Sequence, residues 1–370
     1  MRLLTFAMVT LNKLSMGLAG AAFSVSCLNL ELAQAHGLIT GPHAEPEPYT
    51  QGVQDYLVVP PGAPGRPAYY EASGGLDKPF NLYTILANTD ETGGTFNFFT
   101  FLVEPGGGPL PHTHHDDAEA LYILEGQFSV MTGDTTTLAT PGSFVYLPVG
   151  QPHSFTNIGT EAALALSLTT PPGLAQLFEQ VGVLSTGDGP PPPSAFDFEE
   201  ALTVLPQFGI DLAAQTLPGP LLDFVVVPPD APGRPSFEGP FGGLYTSLAT
   251  LEETGGEFSF ASFSLPSQSG LPALTQSSNG ESFYVLEGDL TFQLGNTTSV
   301  ATPGTYVYIP PGKPYAFTNL DTTLAKAVSI SVATSVPEPS SWLGILGVGG
   351  YLGTSLVLKR KHKKKKLTNL

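Results

Sequence analysis

One unit is written twice in this chain. Tyr83-Thr84 with Glu91-Thr92-Gly93-Gly94 returns as Tyr245-Thr246 with Glu253-Thr254-Gly255-Gly256. Glu119-Ala-Leu-Tyr-Ile-Leu-Glu-Gly126 returns as Glu281-Ser-Phe-Tyr-Val-Leu-Glu-Gly288, Ala139-Thr-Pro-Gly142 as Ala301-Thr-Pro-Gly304, and Phe155-Thr-Asn157 as Phe317-Thr-Asn319. Every pair is 162 residues apart. Upstream, Val59-Pro-Pro-Gly-Ala-Pro-Gly-Arg-Pro67 returns as Val227-Pro-Pro-Asp-Ala-Pro-Gly-Arg-Pro235, now 168 residues apart, so one loop differs by six residues. A constant offset over so many positions means two copies of one fold in tandem.

Each copy reads as strands. The segments 96–103, 120–126, 127–133 and 143–148 are short, rich in aromatic and β-branched residues, and bounded by Gly, Pro or Asp. Glu125-Gly126 and Gly133-Asp134 look like tight turns between antiparallel partners. Many short strands at regular turn spacing predict an all-β sandwich or barrel. With 42 glycines and 36 prolines, a long helical protein or coiled coil is excluded. Between the copies the texture changes. Residues 173–182 have helical spacing, with Leu174, Leu177, Phe178 and Val181 on one face. The run Gly187-Asp-Gly-Pro-Pro-Pro-Pro-Ser194 predicts a stiff polyproline stretch, and Asp197 a cap for a second short helix over 198–204.

Charge separates the body from the ends. The chain carries a net −18, but residues 36–335 hold five basic residues against 30 acidic ones, a net −25. That body disfavours nucleic acid as a partner. The N-terminus has Arg2 and Lys13, a small and apolar run, and a small-x-small pattern at Ala33-Gln34-Ala35, so residues 1–35 read as a secretory signal peptide. Cleavage there removes Cys27, the only cysteine, and leaves His36 first, as an ordinary tail residue. The C-terminus reads Val336-Pro-Glu-Pro339, then an uncharged apolar run over 342–358, then a tail with seven Lys and Arg. Seventeen residues reach the short end of the roughly 17–25 that span a bilayer, and the basic tail holds that end in the cytoplasm. This order resembles the PEP-CTERM sorting signal of bacterial exported proteins, which implies processing by an exosortase-type enzyme. A permanent C-terminal anchor is the plainer alternative. Both place the acidic body outside the cytoplasmic membrane, at the cell surface or in the extracellular matrix.

Chemistry concentrates in the first copy. His112 and His114 are two apart and face one side of a strand. Glu119 follows, and His153 comes from a later hairpin. Three imidazoles and a carboxylate converging in a barrel suit one divalent transition metal: iron, manganese, copper, nickel or zinc. Four ligands leave positions open for water, a substrate oxygen or dioxygen. His115 points the opposite way and is expected to be solvated, along with Asp116 and Asp117. Phe98, Phe99, Phe101, Phe144, Tyr146 and Phe155 are expected as core, some lining a pocket, while Tyr122 and Leu124 are expected to face out.

The spacing Gly106-(five)-His112-Thr113-His114-(four)-Glu119-(six)-Gly126 resembles the first cupin motif. Gly142-(five)-Pro148-Val149-Gly150-(two)-His153-(three)-Asn157 resembles the second. The resemblance implies two tandem jelly-roll β-barrels, with short helices between them, and carries metal ligation to His112, His114, Glu119 and His153. Copy two keeps the frame but not the ligands: Leu274, Gln276 and Tyr315 stand where the histidines would, and only Glu281 survives. The expected division is a signal peptide over 1–35, a metal-binding barrel over 36–183, a linker with a short helix over 184–219, a barrel with a degenerate site over 220–335, and a sorting segment over 336–370. The two-cupin layout is similar to quercetin 2,3-dioxygenase-like proteins. That implies a dioxygenase acting with O2 on a flavonol-like or other phenolic or enol substrate, with Glu119 both ligand and general base. The loss of the second metal set and the scarcity of basic residues weigh against oxalate-type chemistry. The alternative is a non-enzymatic exported surface or matrix protein with a structural metal or a small-ligand pocket. Cupins often pair through their barrels, which leaves a homodimer open.

Overall fold

The structure is a computed structural model that describes residues 55–333 apart from 73, 76–78 and 240–241. The expected signal peptide over 1–35 and the apolar run over 342–358 lie outside the described residues. Among the described residues no helix is long and apolar enough to cross a membrane.

The two copies form two antiparallel barrels whose main strands correspond. Asn97–Val103, Ala118–Glu125, Phe128–Thr132, Phe144–Leu147, His153–Asn157 and Ala163–Thr170 answer to Phe258–Leu265, Gly280–Glu287, Leu290–Leu294, Tyr306–Ile309, Tyr315–Thr318 and Ala325–Val332. Each barrel has one large sheet, of eight strands in the first and seven in the second, closed by a smaller sheet of three and four strands. The six-residue difference falls in the hairpin after Ala68–Glu71 and its counterpart Ser236–Glu238. Repeated residues prove to be structural partners. Arg66 grips Glu91 bidentately at 2.6 Å and 2.6 Å, and Arg234 grips Glu253 at 2.6 Å and 2.7 Å. Asn157 Nδ2 donates to Val103 O and Glu161 O at 2.8 Å, and Asn319 makes the same clamp to Leu265 O and Thr323 O. Gly126 turns with φ +79°, and a Cβ there would sit 2.4 Å from Ala163 Cβ.

Packing divides into three clusters. One fills the first barrel, around Phe99, Phe101, Phe128, Phe155 and Phe178. One fills the second, around Phe263, Phe283, Phe292, Tyr315 and Phe317. The third lies between the barrels, where the two large sheets meet face to face. There Phe98 stacks on Tyr306 with centroids 4.8 Å apart, and Phe144 meets Phe260 at 4.8 Å. Tyr122 and Leu124 do point out of their barrel, but into this interface rather than solvent, and both are buried. Burial on both faces explains why 120–124 reads as an unbroken apolar run instead of an alternating one.

The barrels also exchange strands. Leu57–Val59, which leads the first copy, pairs antiparallel with Tyr306–Ile309 of the second. Val225–Val227, which leads the second copy, pairs with Phe144–Leu147 of the first. Each large sheet is therefore completed by the other copy's arm. The segment between the barrels folds back on the first. Its helices are Leu174–Val181 and Phe198–Val204, the latter capped by Asp197 Oδ1 accepting from Glu200 N at 2.9 Å. Its strand Ile210–Asp211 pairs with Thr113–His114.

Candidate metal centre

The topology brings His112, His114 and His153 together. His112 and His153 face each other across a two-way main-chain bridge, His112 N to His153 O at 3.0 Å and His153 N to His112 O at 2.9 Å. His114 sits on the two-residue strand pinned by Ile210–Asp211. The ligand atoms of the three rings lie within 4.8 Å of one another, and all three rings are buried. Glu119, on the next strand, is buried beside them, its Oε2 3.9 Å from His153 Nε2.

Every Nδ1 is occupied. His112 Nδ1 donates to Leu110 O at 2.8 Å, His114 Nδ1 to Asp117 Oδ2 at 2.8 Å, and His153 Nδ1 to Gln151 O at 2.9 Å. These acceptors fix the tautomers and aim all three Nε2 lone pairs at one point. His153 Nε2 is fully buried with no hydrogen-bond partner, and His112 Nε2 lies 3.0 Å from His114 Nε2. A buried, unpaired His153 Nε2 beside two further imidazole nitrogens is costly unless a cation stands among them. The donor set therefore fits a divalent metal held by three imidazoles and one carboxylate.

The electrostatics agree. Burial, and then the neighbouring His114, push His112 down to about 3. Burial, with His112 and His114, holds His153 well below the usual imidazole range. Both rings are thus neutral and ready as ligands. At His114 burial also opposes charge, but Asp117 and Glu119 outweigh it and the net direction is upward. Burial raises the Glu119 carboxyl above its ordinary range, against the pull of His114 and of the Ser167 hydroxyl, which donates to Oε1 at 2.7 Å. Asp117 corrects the sequence reading. It is not solvated with its neighbours but buried against His114, whereas His115 is exposed and lies 3.9 Å from Asp211.

The cluster opens onto a pocket. The barrel supplies Tyr83, Phe99 and Phe155, and the inter-barrel segment supplies Leu177, Phe178 and Phe198. Tyr83 stacks on Phe178 at 4.0 Å. The sequence reading missed this wall, although the apolar face of 173–182 was a sign that the helix needed a surface to cover.

The Cupin domain family matches residues 99–169 and 263–331, one match in each barrel. The chain is a bicupin. The quercetin 2,3-dioxygenase of Bacillus subtilis is 23% identical to it over 260 residues, which span 67% of this chain and 77% of the relative. Among solved structures, Ylba from E. coli superposes with a TM-score of 0.53 at 12% identity, covering 79% of this chain and 96% of that one. A putative glyoxylate induced protein from Pseudomonas aeruginosa gives 0.53 at 14%, covering 81% and 98%. An oxalate decarboxylase variant of Bacillus subtilis gives 0.50 at 15%, covering 78% and 80%. At such identities the structures speak for the fold alone.

In the second barrel of the bicupin the corresponding positions are dispersed. Leu274 and Gln276 are exposed, while Tyr315 is fully buried in the barrel core. Glu281 is buried and accepts from Ser277 Oγ at 2.6 Å and Ser331 Oγ at 3.0 Å. Burial pushes its carboxyl up to about 7.

Proposed function

We propose that the first barrel is a metal-dependent dioxygenase acting with O2 on a neutral hydroxylated aromatic of the flavonol or related phenolic or enol class. The observation that carries this reading is the set of three Nδ1-anchored imidazoles beside Glu119, opening onto an apolar pocket. A divalent metal held by His112, His114, His153 and Glu119 would supply Lewis-acid polarisation of a substrate oxygen and redox access to dioxygen. The chain's own residues do the rest. Phe99, Phe155 and Phe178 offer flat surfaces to an aromatic ring and exclude water. Glu119, raised by burial and oriented by Ser167 Oγ, stands at the cluster to take a hydroxyl proton. The described lining contains no lysine or arginine, which suits a neutral substrate better than a small dianion. The likeness to a quercetin 2,3-dioxygenase supports the same class.

The test begins with metal content. The purified body is expected to hold about one transition metal per chain, and His112→Ala with His153→Ala to lose it. Flavonol-dependent oxygen uptake should follow in the wild type alone. One tightly held metal with no uptake on any phenolic would replace the dioxygenase by another chemistry or a binding role.

The two ends of the sequence support export, followed by sorting through the C-terminal segment. Intact mass and N-terminal sequencing of the protein recovered from cells are expected to place His36 first. A chain that begins at Met1 would end that reading.

A further inference from the structure

Two strands end their sheets with no strand beyond them. Thr135–Ala139 is the last strand of the first barrel's small sheet, and Thr297–Ala301 the last of the second's. Each pairs on one side only, with Phe128–Thr132 and with Leu290–Leu294. Other sheet edges are blunted. Val183–Leu184 is two residues long, Ser236–Glu238 ends in a carboxylate, Gly270–Thr275 contains Pro272, and His153–Asn157 is bridged to the chain at 106–112. The exchanged arms are three residues each and run into paired prolines. Thr-Thr-Thr-Leu-Ala and Thr-Thr-Ser-Val-Ala carry none of these guards. They hold no charge and no proline, are rich in β-branched residues, and leave Leu138 57% and Val300 58% exposed. Such an edge is a template for another strand.

The hairpins fix which groups face outward. Thr132 and Thr135 close a two-residue turn, and so do Leu294 and Thr297. The closing pair of such a turn exchanges main-chain hydrogen bonds, and bonded and open pairs then alternate along the strands. The N–H and C=O of Thr136 and Leu138 therefore point away from the sheet, as do those of Thr298 and Val300. Among the described residues no main-chain group meets them. A second copy brings the same strand. Laid antiparallel with Thr137 on a twofold axis, it sets Thr136 opposite Leu138 and Leu138 opposite Thr136, so that each outward N–H meets a C=O. Asp134 then faces Thr140, and no carboxylates oppose each other across the seam, although residues 36–335 carry a net −25. The offset of 162 gives Thr297–Ala301 the same pattern about Ser299. We infer that these two strands are docking edges for further copies of this chain, edge to edge. Each barrel carries one, so a chain takes two neighbours and growth does not close at a dimer.

The experiment is sedimentation velocity on the purified full chain from about 1 to 100 µM, at about 0.05 M and 0.3 M salt. The mass is expected to rise with concentration past that of a dimer. It should rise further at the higher salt, which screens the acidic bodies from one another. Thr136→Pro removes an outward N–H and leaves the hairpin's own bonds intact, and Thr298→Pro does the same on the second barrel. Either alone should halt growth at a dimer, and the two together should leave a monomer. Should these variants fail to fold, judged by far-UV circular dichroism and Tm, Leu138→Glu with Val300→Glu carries the test by placing a charge on both edges. A wild type that stays a monomer or stops at a dimer overturns the proposal. So does association that persists undiminished in a folded double variant, which would put the contact elsewhere on the chain.

Discussion

Three histidines aimed by three different acceptors make the first barrel's centre, and only one of those acceptors is a side chain. Leu110 O and Gln151 O belong to the main chain and survive any substitution, but Asp117 does not. Asp117→Ala is therefore expected to weaken metal binding by about 10–100-fold, read by competition with a chelator, while Asp116→Ala leaves it unchanged. His112 and His114 were legible as a pair because their spacing puts both on one face of a strand, and the cupin motif added Glu119 and His153, which the fold does bring beside them. Asp117 was not legible. It follows the exposed His115 and Asp116, and nothing in the order of residues shows that the chain turns it back under His114. The vestigial site offers a second residue-scale prediction. Glu281 is raised to about 7 by burial from an ordinary carboxyl value. The folded state thus holds its proton where the unfolded chain has released it. The associated stability is present below about pH 4.5 and is lost as pH rises through 7, an effect of up to about 3 kcal/mol. Glu281→Gln keeps an acceptor for Ser277 and Ser331 and removes the ionisation. Its Tm relative to wild type should rise between pH 5 and pH 8, and a pH-independent difference would count against the shift.

At the scale of elements, pattern predicted existence better than destination. The helix over 173–182 and the capped helix over 198–204 both form within a residue or two of their expected spans. Periodicity shows that a helix has an apolar face, but the surface it covers is set by distant packing. Here that surface is the mouth of the pocket. Phe178 is buried, stacks on Tyr83 and meets Phe99 edge-on at 5.5 Å. Phe178→Ala is expected to cost about 3–5 kcal/mol, measured by denaturant unfolding, because the aromatic wall closes poorly around the space it leaves. A loss under about 1 kcal/mol would mean that the segment lies loosely on the barrel.

At the scale of the molecule, the repeat revealed two copies but concealed how they are joined. The recipient strands Phe144–Leu147 and Tyr306–Ile309 read Phe-Val-Tyr-Leu and Tyr-Val-Tyr-Ile, and the arms read Leu-Val-Val and Val-Val-Val. Either arm suits either sheet, so local sequence cannot reveal the exchange. Shared arms and a shared core between the barrels predict a single cooperative unfolding transition by heat and by denaturant. Residues 55–219 produced alone would lack an edge strand and expose Phe98, Tyr122 and Phe144. They are expected to aggregate, with soluble yield restored by co-expression of 220–333. A soluble, folded fragment would show that the barrels stand independently.

The exchanged arms also set a timetable. A polypeptide leaves the ribosome from its N-terminus, and domains commonly fold as they emerge. This one cannot finish its first barrel until residue 227 has appeared, long after the last strand of that barrel. The arm at 57–59 must wait longer still, for a partner at 306–309. Most of the chain is therefore made before either half is complete. A nascent protein with that delay holds its first barrel open until well over half of the chain has been made.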